Sequence, residues 1–262
     1  FPTRRSSDLL DLKVYGNWSE YTASEVGLAD EAFEGDSWQA GAELSWNIFQ
    51  SGPLFLDFLG GARWENSRVE NKLFNIEGEE DFFLPYLGLE LERNTQMSRT
   101  AAHLDVEHNF SGIADTEEEE IVKLGRLQTD EDWTVLHWNL NHSFYLEPLI
   151  FGDSFKDTDS WESSTLAHEI SFEFTGQNAF GNRLVPQAQK TVGGAYTVRG
   201  YPESVTSGDD VYIGRAEYRY HVAKGLKPDP NPSEVPLFGR PFRVSPQHVF
   251  GQADWDLVLK GF

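Results

Sequence analysis

Trp38-Gln-Ala-Gly-Ala-Glu-Leu-Ser-Trp-Asn-Ile48 sets Trp38, Ala40, Ala42, Leu44, Trp46 and Ile48 at every second position, with Gln39, Gly41, Glu43, Ser45 and Asn47 between them. Successive side chains of an extended strand point to opposite faces, so this stretch has one apolar face and one polar face. A helix would spread the same residues around its circumference. The next run repeats the pattern, with Leu54, Leu56, Phe58, Gly60, Ala62 and Trp64 on one face and Asp57, Gly61, Arg63 and Glu65 on much of the other. Gln50-Ser-Gly-Pro53 lies between the two runs and reads as a hairpin turn.

Similar runs follow at about 12–21, 83–93, 98–110, 133–146, 164–176, 211–222 and 255–262, so roughly nine strands account for the chain and no segment has a convincing helical period. In the 164–176 run, Leu166, Ile170, Phe172 and Phe174 alternate with Thr165, Glu169, Ser171 and Glu173. His168 is the one polar residue on that apolar face and reads as a strand-end or interface residue rather than a ligand. No window approaches the roughly 18 apolar residues of a membrane-crossing helix. The mean hydropathy of -0.49 looks soluble, but a barrel strand needs an apolar residue only at alternate positions. The expected fold class is therefore all-β: a partial transmembrane antiparallel β-barrel.

Loop lengths point the same way. Outer-membrane barrels alternate long extracellular loops with short periplasmic turns. The connections near 22–36, 67–82 and 111–132 are long, whereas those near 50–53 and 94–97 are short. The connections near 147–163 and 223–254 break the rule, being long on the nominally periplasmic side. Aromatic pairs toward strand ends, Trp18 with Tyr21, Trp46 with Phe49 and Phe82 with Phe83, suit an interfacial girdle, although aromatics are also good strand formers.

Composition narrows the chemistry. The 262 residues contain no Cys, which excludes a disulfide framework and any thiol nucleophile or thiolate metal site. A net charge of -22, from 43 acidic and 21 basic residues, argues against a nucleic-acid partner, because phosphate binding needs clustered Lys and Arg. Phe1 to Asp8 reads as a non-native leader, and residues 9–262 as the barrel domain. No nucleotide-binding P-loop, no nucleophile elbow and no His-Glu-x-x-His motif is present, so neither an enzymatic activity nor a cofactor is expected.

One stretch carries more specific information. Residues 192–201 read Val-Gly-Gly-Ala-Tyr-Thr-Val-Arg-Gly-Tyr, and Asp209-Asp-Val-Tyr-Ile-Gly-Arg-Ala-Glu-Tyr-Arg219 follows. This resembles the outer-membrane superfamily of BamA-type insertases and TpsB-type transporters, the latter including the hemolysin-activator proteins of two-partner secretion. Gly193, Gly194, Val198, Arg199, Gly200 and Tyr201 match the family's loop motif, and Gly214 and Glu217 match the G-x-x-E strand after it. Leu184-Val-Pro-Gln187 resembles the lead-in of the secretion branch. The resemblance implies a sixteen-stranded barrel in which this loop, about 177–210, follows the eleventh strand and folds back into the lumen. It also implies that Arg199 pairs with an Asp in an F-x-D motif of the thirteenth strand. Phe262 would be the Phe of that motif, which places the Asp past Phe262 and leaves Arg199 without its family partner here. Glycines permit a sharp turn and close approach to the wall, and a guanidinium in the lumen needs a carboxylate. Counting strands backward implies about four strands and periplasmic POTRA domains upstream, with about three strands downstream.

Other candidate chemistry is weaker. The Glu117–Glu120 run and the Asp209–Asp210 pair lack the spaced ligands of a calcium loop and read as solvated loop charge. His103, Asp105, Glu107 and Asn109 share one strand face, which on a barrel is the polar lumen. The carboxylates Asp57 and Glu65 have no pairing geometry in sequence. The expected function is an outer-membrane pore that secretes an unfolded protein substrate. An insertase for membrane proteins and a soluble β-sandwich binding module are the alternatives, with a passive porin as a further possibility that would not need the loop motif.

Overall fold

The computed structural model describes residues 9–26, 31–72, 75–152, 166–226, 229–231, 233–243, 245, 247–249 and 252–262. The proposed leader, Phe1 to Asp8, lies outside the described residues. In chain order the strands are β1 (Leu10–Val26), β2 (Glu31–Ser51), β3 (Leu54–Asn71), β4 (Ile76–Asn94), β5 (Ser98–Asn109), β6 (Trp133–Tyr145) and β7 (His168–Asn178). They continue as β8 (Lys190–Val192), β9 (Thr206–Gly208), β10 (Val211–His221), β11 (Glu234–Leu237), β12 (Arg240–Arg243), β13 (Gln247–Val249), β14 (Gln252–Ala253) and β15 (Val258–Gly261). Among the described residues, four short α-helices lie between strands: α1 (Ser111–Ala114), α2 (Glu118–Lys123), α3 (Glu147–Phe151) and α4 (Val222–Gly225).

Nine strands form one antiparallel sheet in the order β1-β2-β3-β4-β5-β6-β7-β10-β15, with β8–β9, β11–β12 and β13–β14 as separate ribbons. Each wall strand neighbours the next wall strand in sequence, the meander expected of an outer-membrane barrel. The chain is thus nine strands of a partial β-barrel. The nine-stranded sheet matches the strand count read from the alternation. No helix among the described residues is long and apolar enough to cross a membrane.

Strand lengths differ from expectation. The segments 22–36 and 67–82, read above as long loops, are mostly strand: β1 reaches Val26 and β2 resumes at Glu31, while β3 reaches Asn71 and β4 resumes at Ile76. A tilted strand needs only about 9–11 residues to cross the hydrocarbon, whereas β2 has 21 and β4 has 19. Beyond the lipid no apolar face is required, so Ser67-Arg-Val-Glu70 and Glu77-Gly-Glu-Glu80 keep the ladder while losing the alternation that identifies a strand. Between β2 and β3 the register slips from Asn47↔Asp57 to Phe49↔Leu56, which makes Ile48 the extra residue of a bulge. The Asn47 amide fastens it by donating to Asp57 Oδ1 at 2.7 Å and Leu56 O at 3.3 Å.

Contacts divide the chain into two compact units, the first formed by Phe1–Leu91, Ala102–Asn139 and Thr175–Ile213. Its outward side chains Leu44, Trp46, Leu104 and Val106 are exposed at period two, the face a barrel offers to lipid. On the inner side, Tyr86 crosses the backbone of Gly61 and donates to Glu43 at 2.7 Å; a Cβ on Gly61 would sit 2.6 Å from the tyrosine ring. Nearer the strand ends the inner face is apolar. There Val69, Phe82, Leu84, Trp133 and Val135 pack under Ile121 and Leu124 of the α2 segment and under Ala179, Leu184 and Val185. Phe82 therefore belongs to this core and not to a girdle.

The second unit comprises Glu92–Ala101, Leu140–Phe174 and Gly214–Phe262. Phe172 and Phe174 are among its exposed outward residues. The turn at 94–97 is closed by Thr95, whose amide donates to Ser98 O at 2.9 Å. The connection after β6 begins with α3, and buried Glu147 accepts from Ala167 N at 2.7 Å and His168 N at 2.8 Å. The two ends of that long excursion are thus tied together at the wall. The connection after β10 is no open loop either, since α4 and the two ribbons β11–β12 and β13–β14 lie within it.

Replacing the outward Leu104 with Arg is expected to lower stability in lipid bilayers by about 2–4 kcal/mol if it lies near the midplane. Denaturant unfolding from bilayers measures this, and Leu104→Ala is expected to cost less.

Candidate functional site

The loop after β7 is built in three parts within the first unit. Its lead-in, Phe180 to Gln189, runs through a single turn at Pro186–Ala188. Its neck is the short ribbon β8–β9, in register from Lys190↔Gly208 to Val192↔Thr206. Its tip is Gly193 to Val205 and holds all six residues of the predicted motif.

Two glycines make the tip possible. Gly193 has φ 124° and Gly194 has φ 87°, conformations that L side chains rarely adopt. Both also lie against the returning chain, where a Cβ on Gly194 would meet Glu203 Cγ at 2.6 Å. The tip closes on itself through Gly194 N donating to Tyr201 O at 3.2 Å. The Thr197 hydroxyl donates to Gly193 O at 2.5 Å and accepts from Gly193 N at 2.7 Å. Arg199 lies on the tip, where its Nε donates to Ala195 O at 3.3 Å. Val198 and Tyr201 are exposed, and Tyr196 is 84% exposed.

The neck and lead-in, by contrast, are fastened to the inner wall. Gln177 of β7 donates to Ala188 O at 3.2 Å and to Asp209 O at 3.1 Å. A cavity of about 340 Å³ separates Gln187 to Thr191 from Arg63, Glu107 and His137 of the wall. Arg63 forms a two-point ion pair with buried Glu107 and a second contact to Glu65 at 3.3 Å. His137 and His103 flank Asp105 at 3.1 and 2.9 Å. The strand face of His103, Asp105, Glu107 and Asn109 is thus a set of wall pairings. No group of three or more His, Asp or Glu among the described residues is placed to hold a metal ion. Burial holds the Lys190 ammonium of the neck below its ordinary value, opposed by the Asp105 charge.

Asp209 corrects the reading of Asp209–Asp210 as solvated charge. It accepts from both terminal nitrogens of Arg126, at 2.5 and 2.8 Å, from Gln189 Nε2 at 3.0 Å and from Leu184 N at 3.3 Å. Asp210 accepts from Ala179 N at 2.7 Å. The β5–β6 connection that carries Arg126 also holds the lead-in elsewhere, since Asp130 accepts from Arg183 N at 2.7 Å and Leu127 O accepts from Arg183 Nε at 2.7 Å. Nothing in the spacing of Arg126 and Asp209 marks them as partners. Of the Glu117–Glu120 run, Glu117, Glu118 and Glu119 are exposed, which agrees with solvated charge.

The remaining predicted residues lie in the second unit. Glu217 of β10 is 4% exposed and accepts from Arg219 Nη2 at 2.9 Å. Arg219 also reaches Glu169 of β7 at 3.4 Å, and Arg215 pairs with Glu173. His221 lies 2.6 Å from Asp256 and 3.2 Å from Glu169, joining the end of β10 to the segment before β15. A side chain on Gly214 would meet nothing within 4 Å, so local packing does not demand glycine there. Phe262, just after β15, is 79% exposed. His168 begins β7, as its reading as a strand-end residue expects, and lies 2.6 Å from the Tyr218 hydroxyl.

No protein-family model matches the chain, and no curated protein sequence does. Among solved structures, the chain is similar to CdiB from Acinetobacter baumannii, with a TM-score of 0.54 and 17% identity over 81% of this chain. The match covers 34% of the CdiB chain, so this chain spans about a third of that protein. The likeness shows the β-barrel fold.

Burial alone would raise the Asp209 carboxyl, but the hydrogen bonds and charge of Arg126, with Gln189, outweigh it and hold the carboxyl below its ordinary value. The stabilisation is therefore complete above the unfolded carboxylate value of about 3.9 and is lost as pH falls through the lowered folded value. Asp209→Asn is expected to weaken the lead-in by about 1.5–3 kcal/mol at neutral pH, the scale of hydrogen bonds to charged groups. Faster proteolysis between Gly181 and Gln189 reads this, and the difference from the parent should shrink in strong acid.

Proposed function

We propose that this chain is part of an outer-membrane pore that secretes protein by the two-partner, hemolysin-activator mode. The observation that carries the reading is the Gly193–Tyr201 motif held on a neck that is fastened to the inner barrel wall. The likeness to CdiB, a TpsB-type protein of the same superfamily, supports it. So does the Leu184-Val-Pro-Gln187 lead-in, which favours secretion over the insertase reading. In this proposal upstream POTRA domains capture an extended substrate by strand addition. The substrate then passes the lumen when the Arg199 tip moves, and folding of the passenger outside drives the transfer without a nucleotide. The partners are outer-membrane lipid and the unfolded passenger, and the location is the bacterial outer membrane.

A slower-migrating form on boiling, in an outer-membrane fraction solubilised with detergent, is the expected signature of the barrel. Arg199→Ala in the complete protein is expected to reduce passenger secretion about tenfold, equivalent to about 1.4 kcal/mol. Arg68→Ala is the control, since Arg68 and Glu77 form an exposed pair. Arg63 is unsuitable because its loss would leave Glu107 buried and unpaired. Equal effects of the Arg199 and Arg68 variants would overturn the role of the loop. An effect on the assembly of other barrels, with secretion intact, would favour the insertase.

A further inference from the structure

The β11–β12 ribbon has a feature that the secretion reading does not use. Leu237↔Arg240 closes a two-residue turn of Phe238 and Gly239, at φ 51° and 76°. Positive φ at both central residues is the type I′ arrangement, for which Asn-Gly or Asp-Gly is the low-strain choice. A bulky Phe is an outlier in that position. Its side chain is 99% exposed, and Leu237 and Val235 beside it are exposed too. An apolar residue held in a strained turn and aimed outward from the protein marks a contact surface rather than a packing need.

The flanking pair excludes one mode of contact. Pro236 stands opposite Pro241. Next to a closing hydrogen-bonded pair, this is a non-hydrogen-bonded position whose backbone groups face outward along both edges. Proline there removes the outward N–H from each edge, so the ribbon is a poor template for an added strand. Contact must come through the side chains at the tip.

Charge indicates the partner. The chain carries a net -22, yet within the segment 222–243 the ribbon's turn is flanked by exposed Arg240, and Lys224 and Lys227 precede the ribbon in sequence; Arg243 at the ribbon's base is instead neutralised by Glu234 at 3.6 Å and Asp254 at 3.1 Å. The segment also follows directly on β10, a wall strand of the barrel. We infer that the β11–β12 ribbon is an interfacial anchor that places Phe238, with Leu237, in the boundary of an anionic lipid leaflet, with Arg240 facing the headgroups. Amphipathic elements with basic flanks bind anionic interfaces in this manner.

The inference rests on the barrel reading, and one experiment separates the two. The chain has no Cys, so once any cysteine elsewhere in the complete protein is replaced, its Phe238→Cys, Phe172→Cys and Asn231→Cys variants can each carry a single environment-sensitive fluorophore. The proteins are reconstituted in vesicles of phosphatidylethanolamine and phosphatidylglycerol containing a nitroxide-labelled lipid. The anchor predicts quenching at position 238 comparable to that at outward-facing position 172 and stronger than at 231. It also predicts that much of the quench at 238 is lost when phosphatidylglycerol is replaced by a zwitterionic lipid, while 172 stays quenched. Quenching at 172 but not at 238 overturns the anchor and leaves the barrel standing. A blue-shifted but unquenched label at 238 shows a protein covering the tip and also overturns it. No quenching at either position overturns the barrel reading itself.

Discussion

A backbone N–H or C=O without a partner in hydrocarbon costs several kcal/mol, and in lipid only helices and closed strand ladders avoid that cost. The arrangement of this chain follows from that requirement. The nine-stranded meander keeps each wall strand beside its sequence neighbour, and the β1–β2 and β2–β3 registers run almost unbroken along the strands. Where β2 does slip, at Ile48, the Asn47 side chain supplies the hydrogen bonding that the ladder gives up. Side chains are then sorted by face, with Leu104 and Val106 outward and Glu107 and Asn109 inward on the same strand.

The inner wall shows the second consequence of the same low-dielectric setting. Guanidiniums on the wall stand beside carboxylates: Arg63 with Glu107 and Glu65, Arg215 with Glu173, and Arg219 with Glu217 and Glu169. Such pairs add little net stability over apolar packing, but losing one member is costly, so they fix geometry rather than supply strength. Glu217, recognised as part of a strand motif, has its physical explanation here as the buried partner of Arg219.

The fold was largely legible in the sequence because lipid imposes one rule on alternate residues, and Trp38–Ile48 obeys it without interruption. Legibility ends where the lipid does. Ser67–Glu70 and Glu77–Glu80 continue as strand with no apolar face to announce it. Phe82 and Phe83 are adjacent aromatics that the sequence cannot assign to sides, and only the first enters the inner core. The helices span four to six residues, too few for a helical period to register. Within the loop, the glycines were identifiable from the motif, and the positive φ of Gly193 and Gly194 supplies their reason. The role of Asp209 was not identifiable, since Arg126 lies 83 residues away in sequence and no local pattern links them.

The fastening of the loop at Asp209, Asp210 and Gln177 sets a length scale for any motion above it. While the β8–β9 neck holds, the free tether is residues 193–205. Because both ends are anchored side by side, the apex can travel at most half the contour of that tether, about 22 Å at 3.3–3.6 Å per residue. Arg199 therefore samples a bounded volume around the neck, and its effective concentration toward any acceptor is set by the neck's position on the wall rather than by the loop's own sequence.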